Sequence, residues 1–355
     1  MRLERMACRD FRSLSAVEWS PAPGVNIISG ANAQGKTTLL EAVLFAATTK
    51  SHRTSADDEL CRHGAEGFHV RLDGARAAGP VTLEANWWRG AKRFKVNGVA
   101  QTRLSDLLGR INVVFFSPDD MALVKGAASV RRRFLDMELS QIQPACLNAL
   151  QQYRQALRQR NELLRAAAPQ SDLVEVWDVQ LDRHGRVLME ARAEFIGELS
   201  ALAGEMYHAV AGGERLSVAY QPDVRDGDIT SALARHRASD LRQRMTTHGP
   251  HRDDLEILID GKPARAFGSQ GQQKTAVLAL RLAEVGLMRR RTGELPVLML
   301  DEVLAELDPD RARRLFAALP GGVQALVTTT SETPPAGCGA DAAWFRMRGG
   351  SLGQE

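Results

Sequence analysis

The chain has 355 residues, 44% of them hydrophobic and 25% charged, and a formal net charge of +3. That length allows more than one domain, and the composition is that of an ordinary globular protein. No segment has the unbroken apolar length of a membrane span, and the opening MRLERMACRDFRSL lacks the apolar block of a secretion signal. A cytoplasmic protein with no membrane partner is the expectation.

Cys8, Cys61, Cys146 and Cys338 stand far apart, with no CxxC or Cys/His cluster. Neither a disulfide framework nor a structural zinc site fits that spacing.

In chain order the elements fall into three zones. Residues 1–117 mix short β-rich runs with turns: residues 25–28 and 111–116 read as buried strands. Between them Trp87-Trp88, Phe94-Lys95-Val96 and then Asn97-Gly98 signal a hairpin. Residues 118–240 are dominated by helices. Leu147, Leu150, Tyr153, Leu157 and Leu164 share one helical face that ends before Pro169. A longer pattern runs from Ser171, a candidate N-cap, to Gly212-Gly213. Residues 241–355 return to α/β character, with a helix near residues 272–291 and core strands at 296–300 and 324–327. The economical architecture is α/β: a head in two halves, 1–117 and 241–355, interrupted by a helical arm at 118–240.

Gly30-Ala31-Asn32-Ala33-Gln34-Gly35-Lys36-Thr37, with Thr38 behind it, matches GxxxxGK[ST] between an expected strand and an expected helix. The two glycines let backbone N–H groups approach phosphate oxygens, and the helix N-terminus adds partial positive charge. Lys36 is expected to reach the β- and γ-phosphates of ATP, and Thr37 to ligate Mg2+. Asp301-Glu302 ends the apolar run Leu298-Met299-Leu300. Acids at a strand end can reach a nucleotide crevice or cap the next helix. In the first case Asp301 holds Mg2+ through water and Glu302 acts as general base, making Lys36 and Glu302 the catalytic candidates. Ser269-Gln270-Gly271-Gln272-Gln273-Lys274 opens a further helix whose N-terminus could meet another phosphate. Ala305-Glu306-Leu307-Asp308 follows the acids at short range.

This set resembles the ABC-type ATPases: phosphate loop, signature at Ser269-Gln270-Gly271, acid pair, then Glu306-Leu307-Asp308. The resemblance implies a mixed-sheet ABC-type head and two subunits facing head to tail, each signature closing on the partner's ATP, with Asp308 nearby. Across nearly the whole chain the sequence is similar to the RecF family of recombination mediators. That similarity is carried by Lys50-Ser51-His52-Arg53-Thr54, Phe116-Ser117-Pro118-Asp119-Asp120, Arg131-Arg132-Arg133-Phe134-Leu135-Asp136 and Thr247-His248-Gly249-Pro250-His251-Arg252-Asp253-Asp254-Leu255. It implies an ATP-driven homodimer that binds single- and double-stranded DNA in repair, replication and the SOS response. It further implies help with RecA loading alongside RecO and RecR.

Two departures from the wider ABC pattern stand out. Thr328-Thr329-Thr330 occupies the place of a switch His, and no Gln stands at residues 116–120. Both suit a slow ATPase switch better than a motor. Residues 125–165 hold eight basic residues against three acids. Arg131, Arg132 and Arg133 are DNA-contact candidates there, although a solvated helix face explains the charge equally well. His52, Arg53, His248 and His251 could line the nucleotide or partner surface or bond locally, and none is read as catalytic. A transporter ATPase subunit and a monomeric P-loop kinase are the alternatives from other classes.

Overall fold

The computed structural model describes residues 1–166, 171–211 and 213–354. The expected helix stops at Pro169 and Gly212 lie outside the described residues, as do the side chains of Ser171 and Glu306. The chain forms two compact units. One comprises Met1–Asp120, Glu205–Gly213 and Thr275–Glu355, the other Met121–Gly204 and Glu214–Lys274.

The first unit opens with β1 (Arg2–Phe11), β2 (Leu14–Trp19), β3 (Val25–Ser29) and α1 (Lys36–Thr48). A meander follows: β4 (Gly67–Arg76), β5 (Gly79–Trp88), β6 (Ala91–Val96) and β7 (Val99–Gln101), and then β8 (Val113–Phe116). Asn97 and Gly98 both have positive φ, 50° and 80°, the primed-turn geometry that the Asn-Gly pair signalled. Strands β2-β1-β4-β5-β6-β7 make an antiparallel sheet. The long β4–β5 hairpin within it was not foreseen.

The second unit holds α2 (Ala122–Lys125), α3 (Ala128–Ile142), α4 (Pro144–Arg165) and most of α5 (Ser171–Ala211). It continues with β9 (Leu216–Gln221), α6 (Ile229–Gln243), β10 (Asp254–Ile259), β11 (Lys262–Pro263) and α7 (Ala264–Phe267). Residues 118–240 had been expected to form a helical arm. Instead β9 pairs antiparallel with β10, so residues 254–259 fold with residues 216–221, and the second unit runs past residue 240 to Lys274. The alternation Leu255, Ile257, Ile259 supplies the buried face of that ladder.

The chain ends with α8 (Gln270–Thr292), β12 (Val297–Leu300), α9 (Pro309–Ala318), β13 (Ala325–Thr329), β14 (Ala343–Arg348) and β15 (Ser351–Gln354). The second sheet of the first unit runs β15-β14-β3-β13-β12-β8 and is parallel except for the edge strand β15. Its strands β8, β12 and β13 are buried at every position, which is why they read as continuous apolar runs. Helix α1 is buried at every position except Thr37 and packs against strands of both sheets. A helix apolar on all sides has nowhere else to go. All four cysteines are free thiols. Among the described residues no helix is long and apolar enough to cross a membrane.

Candidate nucleotide site

Where β3 ends, the backbone takes conformations that side chains resist. Gly30 has φ 154° and Gly35 φ 107°, and between them Ala33 sits at φ 61°. A Cβ on Gly30 would stand 2.5 Å from the Met347 carbonyl oxygen, so the loop lies directly against β14. The turn after β14 also grips it: Gly349 N–H donates to Gln34 Oε1 at 2.6 Å and Gly350 N–H to the Gln34 carbonyl at 3.1 Å. Gly35 is the N-cap of α1, and neither a capping side chain nor a first-turn acid occupies that end. The first-turn N–H groups are thus open to an anion, and the helix dipole favours one there.

Lys36 follows with its side chain 2% exposed. Its ammonium donates to the Gly30 and Ala31 carbonyls at 2.8 and 3.0 Å and lies 3.3 Å from Glu302 Oε1. The Thr37 hydroxyl donates to Asp301 Oδ1 at 3.0 Å. Thr328 donates to the same oxygen at 2.7 Å and accepts the Glu302 N–H at 2.9 Å. At the place of a switch His, the Thr328 hydroxyl is thus taken up in holding the two acids. Burial lifts the Asp301 carboxyl above the usual range, and the Thr328 and Thr37 hydroxyls oppose that. Glu302 is strained, at φ 53°. The loop, Lys36, Thr37, Asp301 and Glu302 therefore converge on one place.

Beside it lies a group that the sequence did not single out. Glu41, fully buried in α1, accepts from Arg12 Nη2 at 2.9 Å and from the Ser51 hydroxyl at 2.5 Å, and its other oxygen is ion-paired with Arg12 Nε at 2.6 Å. Ser51 in turn accepts the Arg53 and Thr54 N–H groups, fixing the Lys50–Ser51–His52–Arg53–Thr54 loop. His52 rests 4.4 Å from the Phe115 ring, and burial lowers its pKa. A lone acid inside the apolar run of α1 was the available signal.

The remaining candidates make hydrogen bonds close by in the chain. Ser269 and Gln272 form a reciprocal capping box on α8: Ser269 N–H donates to Gln272 Oε1 at 2.6 Å, and Gln272 N–H to Ser269 Oγ at 3.2 Å. Ser269 and Gln270 are exposed, and Phe267 just before them is 70% exposed. Asp308 caps α9, accepting from Asp310 N–H at 3.1 Å and Arg311 N–H at 2.9 Å, and those bonds lower its pKa.

In the second unit the basic run divides. Arg131 is buried and forks onto Asp254 at 2.6 and 2.9 Å, so it faces inward and offers nothing to DNA; this corrects the expectation for that residue. Arg132 is half-buried and donates to the Asp253 carbonyl at 2.7 Å, whereas Arg133 is exposed. Arg160 is fully buried, so it leaves the basic surface as well. His251 bonds Tyr153 at 2.8 Å and the Thr246 carbonyl at 3.0 Å. His248 bonds Asp223 at 3.0 Å. Both histidines serve the packing of their own unit.

The model of the AAA domain family matches residues 5–95. "DNA replication and repair protein RecF" of Halalkalibacterium halodurans is 40% identical over 348 residues, covering 93% of each chain. The protein of the same name from Symbiobacterium thermophilum is 40% identical over 99% of this chain and 98% of its own. A solved structure of the recombination mediator protein RecF-ATP in the RecFOR pathway superposes with a TM-score of 0.91, at 31% identity over 99% of this chain and 97% of that one. An Smc head bound to the C-winged helix domain of ScpA shares the fold alone, with TM-score 0.60 at 17% identity. The mixed α/β architecture with an ABC-type head is thus shared with both groups, and the chain belongs to the RecF family of DNA replication and repair proteins.

Proposed function

We propose that this protein is an ATP-switched, DNA-binding repair factor of the cytoplasm whose nucleotide site is completed by a second copy of the chain. The observation that carries the reading is the convergence of a buried Lys36 and an uncapped helix N-terminus with Thr37 and Asp301, 3.0 Å apart. A hydroxyl and a carboxylate are the hard oxygen donors that Mg2+ takes, with phosphate oxygens and water completing its shell. Among the described residues no group of three His, Cys, Asp or Glu could hold a metal, which suits an ion brought with its nucleotide.

In this reading the N–H groups of residues 30–38 and the Lys36 ammonium bind the β- and γ-phosphates. Thr37 ligates Mg2+, with Asp301 acting through water. Bound Mg2+–ATP supplies the phosphoanhydride and the negative charge that a second chain can recognise. Glu302 orients a water and accepts its proton. The exposed α8 N-terminus, with Ser269, Gln270 and Gly271, caps the nucleotide of the partner chain, Asp308 lies at the same contact, and Phe267 gives that surface an apolar anchor. ATP touches both chains only when they are paired, so it shifts the population toward the dimer. Hydrolysis reverses the shift, as a weak ATPase used as a switch. The paired form binds single- and double-stranded DNA and assists RecA loading with RecO and RecR, in line with the RecFOR pathway named for the solved RecF-ATP structure.

Light scattering and DNA retention, each with ATP and with ADP, test this on wild type, Lys36→Arg and Lys36→Ala. Wild type should dimerise and hold DNA only with ATP, and Lys36→Ala should lose nucleotide binding. A chain that stays monomeric with saturating ATP while hydrolysing it would end the split-site reading.

A further inference from the structure

The second unit carries a cleft of about 260 Å³ whose charged lining is Arg132, Arg133, Arg154, Arg192 and Asp136. Four guanidinium groups face one carboxylate, and that carboxylate is already engaged: Asp136 accepts from Arg154 and from Arg192, each at 2.8 Å. Arg192 is also tied to Asp253 at 2.7 Å, and although burial alone would weaken its charge, Asp136 and Asp253 outweigh that. Arg132 donates to the neutral Asp253 carbonyl, and Arg133 has no ion pair among the described residues. Partial burial and then the neighbouring Arg192 push the Arg132 pKa down, and the nearby Asp254 and Asp253 offset that only in part. Leu150, Leu157 and Leu188 give the cleft an apolar side, so charges within it are less screened than on an open helix face.

Adjacent guanidinium forks in a concave, half-dry setting match a tetrahedral phosphate better than a flat carboxylate surface. We propose that this cleft seats one phosphodiester of the DNA backbone, held by Arg132 and Arg133. The proposal rests on the reading of the chain as a DNA-binding protein. It makes this contact indifferent to base sequence, because backbone phosphates carry none.

The test is fluorescence anisotropy of a labelled duplex with ATP across a salt series, comparing wild type, Arg133→Gln and, as a control for net charge, Arg235→Gln on α6. Arg133 is exposed, so its replacement should leave the melting temperature unchanged. Losing one phosphate contact should make the slope of log K against log salt shallower by about 0.9 and weaken binding equally on unrelated sequences. Arg235→Gln should keep the wild-type slope.

Three outcomes overturn the proposal. An unchanged slope in Arg133→Gln, with wild type binding normally, removes the cleft alone. No ATP-dependent DNA binding by wild type removes the cleft and the DNA reading together. The third outcome concerns the source of the phosphate: a preference for 5′-phosphorylated ends, or displacement of DNA by inorganic phosphate at constant ionic strength, that disappears in Arg133→Gln. Either would assign the cleft to a terminal or a free phosphate instead.

Discussion

The phosphate loop and the second unit solve the problem of burying charge in opposite ways. At residues 30–37 the charge-bearing parts are backbone dipoles and one lysine, all within a few residues of each other, and their geometry comes from glycine conformations. In the second unit the charges are side chains brought together from distant sequence. Arg160, fully buried, bonds Asp178 at 2.5 Å and Asp240 at 2.7 Å. Arg192 joins Asp136 to Asp253, and Arg131 holds Asp254. The contrast teaches that a site built for a mobile anion leaves backbone donors open, while a structural network closes its charges on one another.

Perturbing each region should break it in its own way. The largest effect belongs to Arg160→Leu, which leaves Asp178 and Asp240 buried with a cation missing. Breaking such a pair costs about 3–5 kcal/mol, so urea unfolding should show a large loss of stability. Nucleotide affinity of the folded fraction should be unchanged; a nucleotide defect in that fraction would erase the distinction between the regions.

Acid should weaken the same unit. Burial holds His251 down to about 4, below its usual 6.5, so it is neutral in the fold. The unfolded chain takes up the extra proton between those values. Stability is therefore complete above about 6.5 and falls as pH drops toward 4, by on the order of 3 kcal/mol. His251→Gln should flatten the melting temperature against pH over that window, and an unaltered profile would assign the acid sensitivity to other groups.

At the loop, Gly30→Ala meets both a positive φ and the Met347 carbonyl at 2.5 Å. Strain of about 1–3 kcal/mol is expected. It should appear in calorimetric titration as weakened binding of ATP and ADP alike, since both use the same backbone donors. The smallest effect is Ser269→Ala. Losing half of a capping box costs about 1 kcal/mol of stability. Nucleotide binding by the single chain should survive, with ATP-dependent pairing reduced in light scattering. Full pairing by this variant would separate the cap from any role toward a partner chain.

Legibility followed the same divide. The loop, its flanking strand and helix, and Asp301-Glu302 could be read because each depends on residues adjacent in sequence. Asn97-Gly98 gave its turn for the same reason. What escaped was non-local. Glu41 looked like one acid in an apolar helix until Arg12 and Ser51 closed on it. Arg131, Arg132 and Arg133 looked alike, yet helical geometry turns one onto Asp254 and leaves another in water. Thr328 stood out only as the replacement of a switch His until β13 placed it beside Asp301. The β9–β10 pairing joins residues far apart in the chain, and no local propensity announces such a partner.

By itself, then, the sequence determined the anion-gripping loop, the buried strands, the long helices and the acids at a strand end. Each follows from φ preferences, side-chain period or the chemistry of a few neighbouring residues. Tertiary structure alone decided which arginines are structural and which stay open, how the C-terminal turn braces Gln34, and where the second unit begins and ends. Those outcomes depend on which distant groups share a buried volume, where an ion must find a counter-ion, and spacing along a chain does not encode that distance.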